Sequence, residues 1–368
     1  MSLSDTVVVK IGTSSITDDE GVVQRSRIAK LCAEVAGLRV DGYGVVVVTS
    51  GAIAAGLPEL GMGGGKRPKD IRTLQAVATV GQSALMAVYR EEFASHGLIA
   101  GQVLLIPLDF IVRSQYLHAR QTLERLLELG VVPVVNENDA IADDEIRFGD
   151  NDRIAALVAN LVDAVRLVLL TDTPGVLTAD PRSDADASLI EEIVRIDHQT
   201  EALVGGAGSA RGSGGMASKL NAAKIAAWSG VSSVIADAHR DQVLRDAVAG
   251  VAGSGTMVHA RESRLPARKL WIAFAVGAQG TITVDGGARQ ALERGKSLLA
   301  AGVRGVDGLF GAGSPVEVVD DDAVVFAKGL TRHGSDDLRA VAGRRSGDLP
   351  PGALHLVIHA DDLVTVPA

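Results

Sequence analysis

Hydrophobic and polar positions along this 368-residue chain fall into two textures. Up to about residue 260, short unbroken apolar runs alternate with longer stretches in which apolar positions recur every three or four residues. "TVVVKI" (6–11) is the first run and reads as a short buried strand. Ile28, Leu31, Cys32, Val35 and Leu38 then follow at helical spacing. "YGVVVVTSG" (43–51) predicts a second strand, 70–93 a helix, "GLIAGQVLLI" (97–106) a strand, and Leu117 to Leu129 a helix stopped by Gly130. Further strands are expected at "VVPVV", "RLVLL" and "VSSVIA", with helical patterns around 152–162, 187–204 and 217–229. Strands alternating with helices predict an α/β fold: an open, mainly parallel sheet sandwiched by helices.

Beyond residue 260 the pattern changes. "HARESRLPARK" (259–269) reads as a polar connector. "GTITVD", "PVEVVD", "AVVFAKG" and "HLVIH" follow as short runs broken by Gly, Asp and Pro. This predicts a small β-rich domain, with boundaries near 1–260 for the first domain and 270–368 for the second.

Composition sharpens the picture in two respects. Only 3% of the chain is aromatic, with 42 Gly, so the apolar content is mostly Ala, Val, Leu and Ile, which suits a parallel sheet under helices. Cys32 is the only cysteine, which excludes an internal disulfide and fits a reducing compartment, and it sits on an apolar helix face as inert core. No apolar run reaches the length of a membrane span, and "MSLSDTVVVK" has no secretory pattern, so a cytoplasmic protein away from membranes is expected. The formal net charge of −9 divides into −1 for residues 266–368 and −8 for the rest. Neither part has the basic excess of a nucleic-acid binder, so an anionic substrate must be held by local devices.

Four strand ends carry candidate chemistry, since ligands of open α/β sheets collect beyond the carboxyl ends of strands. In "VVVKIGTSS" (7–15), Lys10 nears a strand end, Gly12 allows close backbone approach, and Thr13, Ser14 and Ser15 add donors for a polyphosphate. "VVVVTSGAIAAG" (45–56) predicts an exposed helix N-terminus suited to an anion, or an ordinary cap by Thr49 or Ser50. "NENDA" (136–140) leaves a buried strand directly, and Asn136, Asn138, Asp139 and Asn151 combine an acceptor for an ammonium with donors for a carboxylate. Asp150 is placed to cap the helix that follows. The competing use of Asp150 or Asp152 is Mg²⁺ binding, with the ion held largely by substrate phosphates.

The fourth strand end is "LVLLTDTPG", with Thr171 and Asp172 after the apolar run and a turn forced by Pro174-Gly175. Further on, in "GSGGMASK", Gly212, Ser213, Gly214, Gly215 and Ser218 are suited to wrap phosphates ahead of Lys219. "GSGGMA" matches the G-x-G-x-x-A dinucleotide fingerprint only formally, because no strand precedes it directly. His355 and His359 lie on a strand pattern, where their spacing of four puts them too far apart to share one metal.

Together "VVVKIGTSS", "VVTSGAIAAG", "VPVVNENDA", "FGDNDRIAALVA", "LLTDTPGVLTADPR" and "GSGGMASKLNAA" resemble the amino acid kinase family, within it the kinases that phosphorylate glutamate. "ERGKSLLAAGV", "AKGL" and "DLRAVAGRRS" resemble the PUA domain that such kinases often carry. The resemblance implies ATP-dependent phosphorylation of the γ-carboxylate of L-glutamate, with ATP as co-substrate and Mg²⁺. It assigns glutamate binding to Ser50, Asp139 and Asn151, with Gly51, Ala52 and Asn136 nearby. ATP binding falls to Lys10, Gly12, Thr171, Asp172 and the loop Ser213, Gly214, Gly215, Met216, Ala217, Ser218 and Lys219. Lys10 and Lys219 would contact the phosphates in flight, and Asp152 would organise the site. The loop carries serines at 213 and 218 where many relatives have threonine, which keeps the hydroxyls. The resemblance also implies a homo-oligomer and hand-over of the labile acyl phosphate to glutamate-5-semialdehyde dehydrogenase, and proline, which shares glutamate's ammonium and carboxylate groups, is expected as feedback inhibitor. RNA binding by the PUA domain is disfavoured by its −1 charge and few aromatics.

Overall fold

The computed structural model describes residues 5–64, 68–110, 112–141, 151–180, 184, 186–203, 215–262, 264–275, 277–344 and 355–365. The chain forms two compact units, Met1–Arg264 and Leu265–Ala368.

In the first unit β1 (Thr6–Ile11) is followed by a one-turn helix α1 (Thr13–Ile16), α2 (Arg25–Val40), β2 (Gly44–Thr49), α3 (Ala52–Glu59), α4 (Ile71–Ser95) and β3 (Ile99–Leu105). Then come α5 (Arg113–Glu128), β4 (Val131–Glu137), α6 (Asn151–Leu161), β5 (Arg166–Thr171), β6 (Glu192–Ile193) and α7 (His198–Leu203). α8 (Met216–Trp228), β7 (Ser232–Asp237), α9 (Val243–Ala249) and β8 (Thr256–Val258) complete it. The eight strands form one sheet in the order β3-β4-β2-β1-β5-β7-β8-β6. All neighbours are parallel except β7 and β8.

Near-continuous Val/Leu runs make these strands because both faces are covered. Val7, Val9 and Ile11 share a core with α2, α4 and α9 through Ile28, Val35, Leu85, Tyr89 and Leu244. Side chains alternate along a strand, so Val8 and Lys10 face the other way, where α6 packs on β1 and on α8. Cys32 is fully buried in the first core, and burial pushes its thiol pKa up, as expected of inert packing.

The predicted helix around 187–204 is a correction. Leu189 bridges Leu177, Glu192–Ile193 pairs beside β8, and only His198–Leu203 is helical. Apolar spacing there reflects an added edge strand, where pairing overrode a helical period.

The second unit holds a five-stranded sheet ordered β11-β9-β12-β13-β15, with β9 (Gly280–Val284), β11 (Val303–Gly308), β12 (Pro315–Val319), β13 (Val325–Leu330) and β15 (Leu363–Thr365). A two-stranded pair, β10 (Leu298–Leu299) with β14 (Leu356–Ile358), accompanies it. Ile282, Val284, Val316, Val318, Phe326 and Leu338 form a core of its own. No helix among the described residues is long and apolar enough to cross a membrane.

Candidate active site

β1 lies between β2 and β5, and the carboxyl ends of β1, β2, β4 and β5 converge on one edge of the sheet. Lys10, the penultimate residue of β1, is turned toward α6 by strand alternation and is only 4% exposed. Its Nζ lies 2.6 Å from Asp152 Oδ1 in the first turn of α6. Lys219, in the first turn of α8, approaches the other oxygen, with Nζ at 3.4 Å from Oδ2. The carboxylate is therefore flanked by two ammonium groups from two elements. Burial alone would raise the Asp152 pKa, but the charges of Lys10 and then Lys219, with hydrogen bonds from Lys10 and Ser218, hold it below the ordinary carboxylate value. Asp152 is an anion at neutral pH and a fixed spacer for two cations.

Gly12 follows the end of β1, and a Cβ there would lie 3.2 Å from Lys10 Nζ. A side chain at position 12 would crowd the ammonium. Across the site, α8 starts from Gly215 without a side-chain cap, and its first turn carries Met216, Ala217 and Ser218, the end of a helix that suits an anion. Thr171 ends β5, is buried, and donates to the Asp172 carboxylate at 3.2 Å. Asp150, Gly212, Ser213 and Gly214 lie outside the described residues.

The second strand end departs from an ordinary cap. Gly51, not Thr49 or Ser50, is the N-cap of α3, with φ of 104° and no side-chain cap bond. The left-handed conformation favours glycine, and a Cβ there would also meet Ile16 Cδ1 at 2.6 Å. Thr49 is occupied elsewhere: its hydroxyl lies 2.8 Å from the Tyr89 hydroxyl and 3.0 Å from the Ser50 carbonyl. Hence α3 begins at Ala52 without a side-chain cap from Thr49, Ser50 or Gly51.

Ser50 belongs to a chain of neutral hydrogen bonds. Asn151 Nδ2 donates to Ser50 Oγ at 3.1 Å, and Asn151 Oδ1 accepts from the Glu137 N–H at 3.2 Å. The same N–H also reaches Asn136 Oδ1 at 2.9 Å, and Asn136 Nδ2 donates to Gln82 Oε1 of α4 at 2.8 Å. Beyond this chain a cavity of about 210 Å³ opens among α4, β3 and the end of β4, lined by Gln82, Ser83, Gln102, Glu137, Asn138 and Asp139. The structure thus brings Ser50, Asn136 and Asn151 into one network, with Asp139 at the adjoining cavity wall.

The arrangement combines a cationic centre with an amide-lined recess, which suits transfer of an anionic group to a small polar acceptor. Comparison with known proteins gives the family. The model for the amino acid kinase family matches residues 5–237. The chain belongs to the amino acid kinase family. Among curated members, glutamate 5-kinase of Myxococcus xanthus is 46% identical over 365 residues, covering 98% of this chain and 96% of the relative. Glutamate 5-kinase of Burkholderia mallei is 44% identical over 368 residues, with coverage of 99% and 98%. The amino acid kinase fold is also seen in carbamate kinase from Giardia lamblia, at a TM-score of 0.51 and 19% identity, covering 71% of this chain and 100% of that one. A PUA domain model matches residues 280–350, over the β-rich second unit.

Three contributors to this candidate site escaped the sequence reading. Gln82 and Tyr89 lie on α4, and Glu137 ends β4 with its N–H shared by two asparagines. A signal for Gln82 existed: it interrupts the apolar stripe Val77, Ala78, Leu85, Met86 at a buried helical position.

Proposed function

We propose that this chain catalyses ATP-dependent phosphorylation of the γ-carboxylate of L-glutamate to L-glutamyl 5-phosphate, the first step of proline biosynthesis. The observation that carries the reading is the buried Asp152 carboxylate between Lys10 and Lys219. The acceptor needs no general base, because a carboxylate is ionised at neutral pH. One γ-carboxylate oxygen attacks the γ-phosphorus of ATP. The bond from that phosphorus to the bridging oxygen breaks, and ADP leaves with the electron pair. The protein's work is to bring two anions together, align them and offset the charge on the transferring group.

Lys10 and Lys219 supply that charge, and Asp152 holds them apart and in register. Mg²⁺ would be held largely by the nucleotide's phosphate oxygens and would offset their charge there, while both Asp152 oxygens face lysines. Gly12, Thr171, Asp172 and the segment Ser213 to Lys219 are the proposed ATP site. Ser50, Gly51, Ala52, Asn136, Asp139 and Asn151 are the proposed glutamate site, with the α3 N-terminus taking the α-carboxylate and Asp139 the ammonium. The proposed boundaries are 1–260 for the kinase domain and 270–368 for the PUA domain.

Proline carries the same ammonium and carboxylate and is proposed as a competitive feedback inhibitor at the Asp139 end. A homo-oligomer is proposed on the strength of the open sheet edge at β3, where Ile99 is 66% exposed. Hand-over of the acyl phosphate to glutamate-5-semialdehyde dehydrogenase, in the cytoplasm, completes the reading. The deciding experiment is glutamate-dependent ADP release with hydroxylamine trapping of the acyl phosphate. Release with glutamate and not with acetylglutamate or aspartate is the expected result, and release without a trapped hydroxamate would overturn it.

A further inference from the structure

Gln82 sits in the middle of the long helix α4 rather than on a strand end, yet it is the far terminus of the hydrogen-bond chain that reaches Ser50. The direction of each bond in that chain follows from the backbone. Asn136 Oδ1 accepts the Glu137 N–H, so Asn136 Nδ2 is turned outward and needs an acceptor. Gln82 Oε1 is that acceptor, at 2.8 Å, with Gln82 only 8% exposed and Asn136 only 1%. From Asn136 the chain passes through the shared Glu137 N–H to Asn151, and from Asn151 to the Ser50 hydroxyl. Three side-chain amides and one peptide N–H therefore fix the orientation of the serine.

The residue before Gln82 ties the same point of α4 to the other half of the acceptor site. A Cβ on Gly81 would lie 1.8 Å from the Ala52 carbonyl oxygen and 2.3 Å from the Gly56 nitrogen. A Cβ on Gly56 would lie 2.1 Å from the Val77 carbonyl oxygen. The backbones of α3 and α4 thus touch where α3 begins. Gly81 sets the position of Ala52 through backbone contact, and Gln82 sets Asn136, Asn151 and Ser50 through hydrogen bonds. Both halves of the recess are referenced to two adjacent residues of one helix.

We infer that Gln82 is a positioning residue for the acceptor substrate: it holds the Asn136 amide and, through Glu137 N–H and Asn151, the Ser50 hydroxyl. It does not touch the transferring phosphoryl group. The inference rests on the glutamate kinase reading and adds to it a residue of the helix α4 rather than of a strand end. Removing the Gln82 acceptor leaves a buried Asn136 N–H without a partner, and the chain is free to reorient.

The experiment measures steady-state constants for both substrates in the full-length protein. Gln82→Leu should raise the glutamate KM about tenfold, with the ATP KM unchanged and kcat within about threefold. Gln82→Glu keeps an oxygen facing Asn136 and should return the glutamate KM to within about threefold of wild type. Combining Gln82→Leu with Ser50→Ala should add less than about twofold to the effect of Ser50→Ala alone, because the two act through one chain. Thermal protection gives a second readout: glutamate should shield Gln82→Leu less than wild type, whereas a non-hydrolysable ATP analogue should shield both equally. If Gln82→Leu is insoluble, Gln82→Met retains the length and removes only the amide. A glutamate KM within about twofold of wild type in Gln82→Leu (or in Gln82→Met where that replaces it), equal losses for glutamate and ATP, or effects of Gln82→Leu and Ser50→Ala that multiply in full would each overturn the inference. Wild-type protein without glutamate-dependent turnover would defeat the functional reading and this inference together. Wild-type turnover with an unshifted variant KM would defeat the inference alone.

Discussion

The two halves of the site are built from opposite materials. Around Asp152, two lysines and one carboxylate form a buried ionic group with a formal surplus of positive charge. Around Ser50, the links are neutral amides, a hydroxyl and a peptide N–H. Ion pairs in a low-dielectric interior are costly to assemble, and they are used where charge develops on a moving phosphoryl group. Neutral hydrogen bonds are directional and cheap to bury when fully paired, and they are used where a shape must be held. Cutting the ionic half should therefore damage stability and kcat, while cutting the neutral half should damage acceptor binding.

The largest effect is expected at the centre of the ionic half. Asp152→Asn removes the counter-charge from two buried lysines and should lower the unfolding free energy by about 3–5 kcal/mol at neutral pH, read by denaturant titration. The pH dependence has a fixed sign. The folded-state pKa is held below the unfolded value, so Asp152 contributes fully above the ordinary carboxylate pKa, and that contribution is lost as pH falls through the lowered value. The gap between wild type and variant should be level from about pH 5 to 7 and shrink toward about pH 3. A gap that persists in acid would show that the carboxylate's charge is not what is being lost.

Lys219→Ala comes next. It should reduce kcat by at least about a hundredfold, with a much smaller change in glutamate KM, as loss of transition-state electrostatics does. A near-normal kcat would move Lys219 out of the ionic half's chemistry.

At the cavity that adjoins the neutral half, Asp139→Asn keeps the size and removes the charge proposed to meet the ammonium. The glutamate KM and the proline inhibition constant should both rise about ten- to a hundredfold, corresponding to about 1.5–3 kcal/mol. A proline constant that stays fixed while the glutamate KM climbs would place proline in a different pocket.

Tyr89→Phe is the mildest cut. It removes the hydroxyl beside Thr49, whose own hydroxyl still reaches the Ser50 carbonyl at 3.0 Å. Stability should fall by about 1 kcal/mol, and the glutamate KM should move less than about threefold. Smallest of all is the effect of ending the chain near residue 262, since every proposed site residue precedes residue 220. Glutamate-dependent turnover should persist, and a folded, inactive truncation would show that the second unit completes the site.

Much of this was legible from local sequence because it depends on local sequence. Apolar runs such as "VVVKI" and "GVVVVT" become buried strands wherever a sheet is covered on both faces, and Lys10, Ser50, Asn136 and Thr171 stand out because each follows such a run. What lay beyond the reading depends on distant partners. Nothing in 187–204 reveals that β8 offers an edge for Glu192–Ile193 to join, and nothing near residue 82 reveals that Asn136, 54 positions away, needs an acceptor. Likewise, the sequence marked Lys10, Asp152 and Lys219 individually, but only the fold decided that both lysines share one carboxylate, because it brings β1, α6 and α8 together there. Secondary structure and strand-end chemistry are set by residue type and short-range period. The pairing of buried polar groups is set by which elements the sheet order brings together, since a buried donor or charge takes its partner from whatever the tertiary packing places beside it.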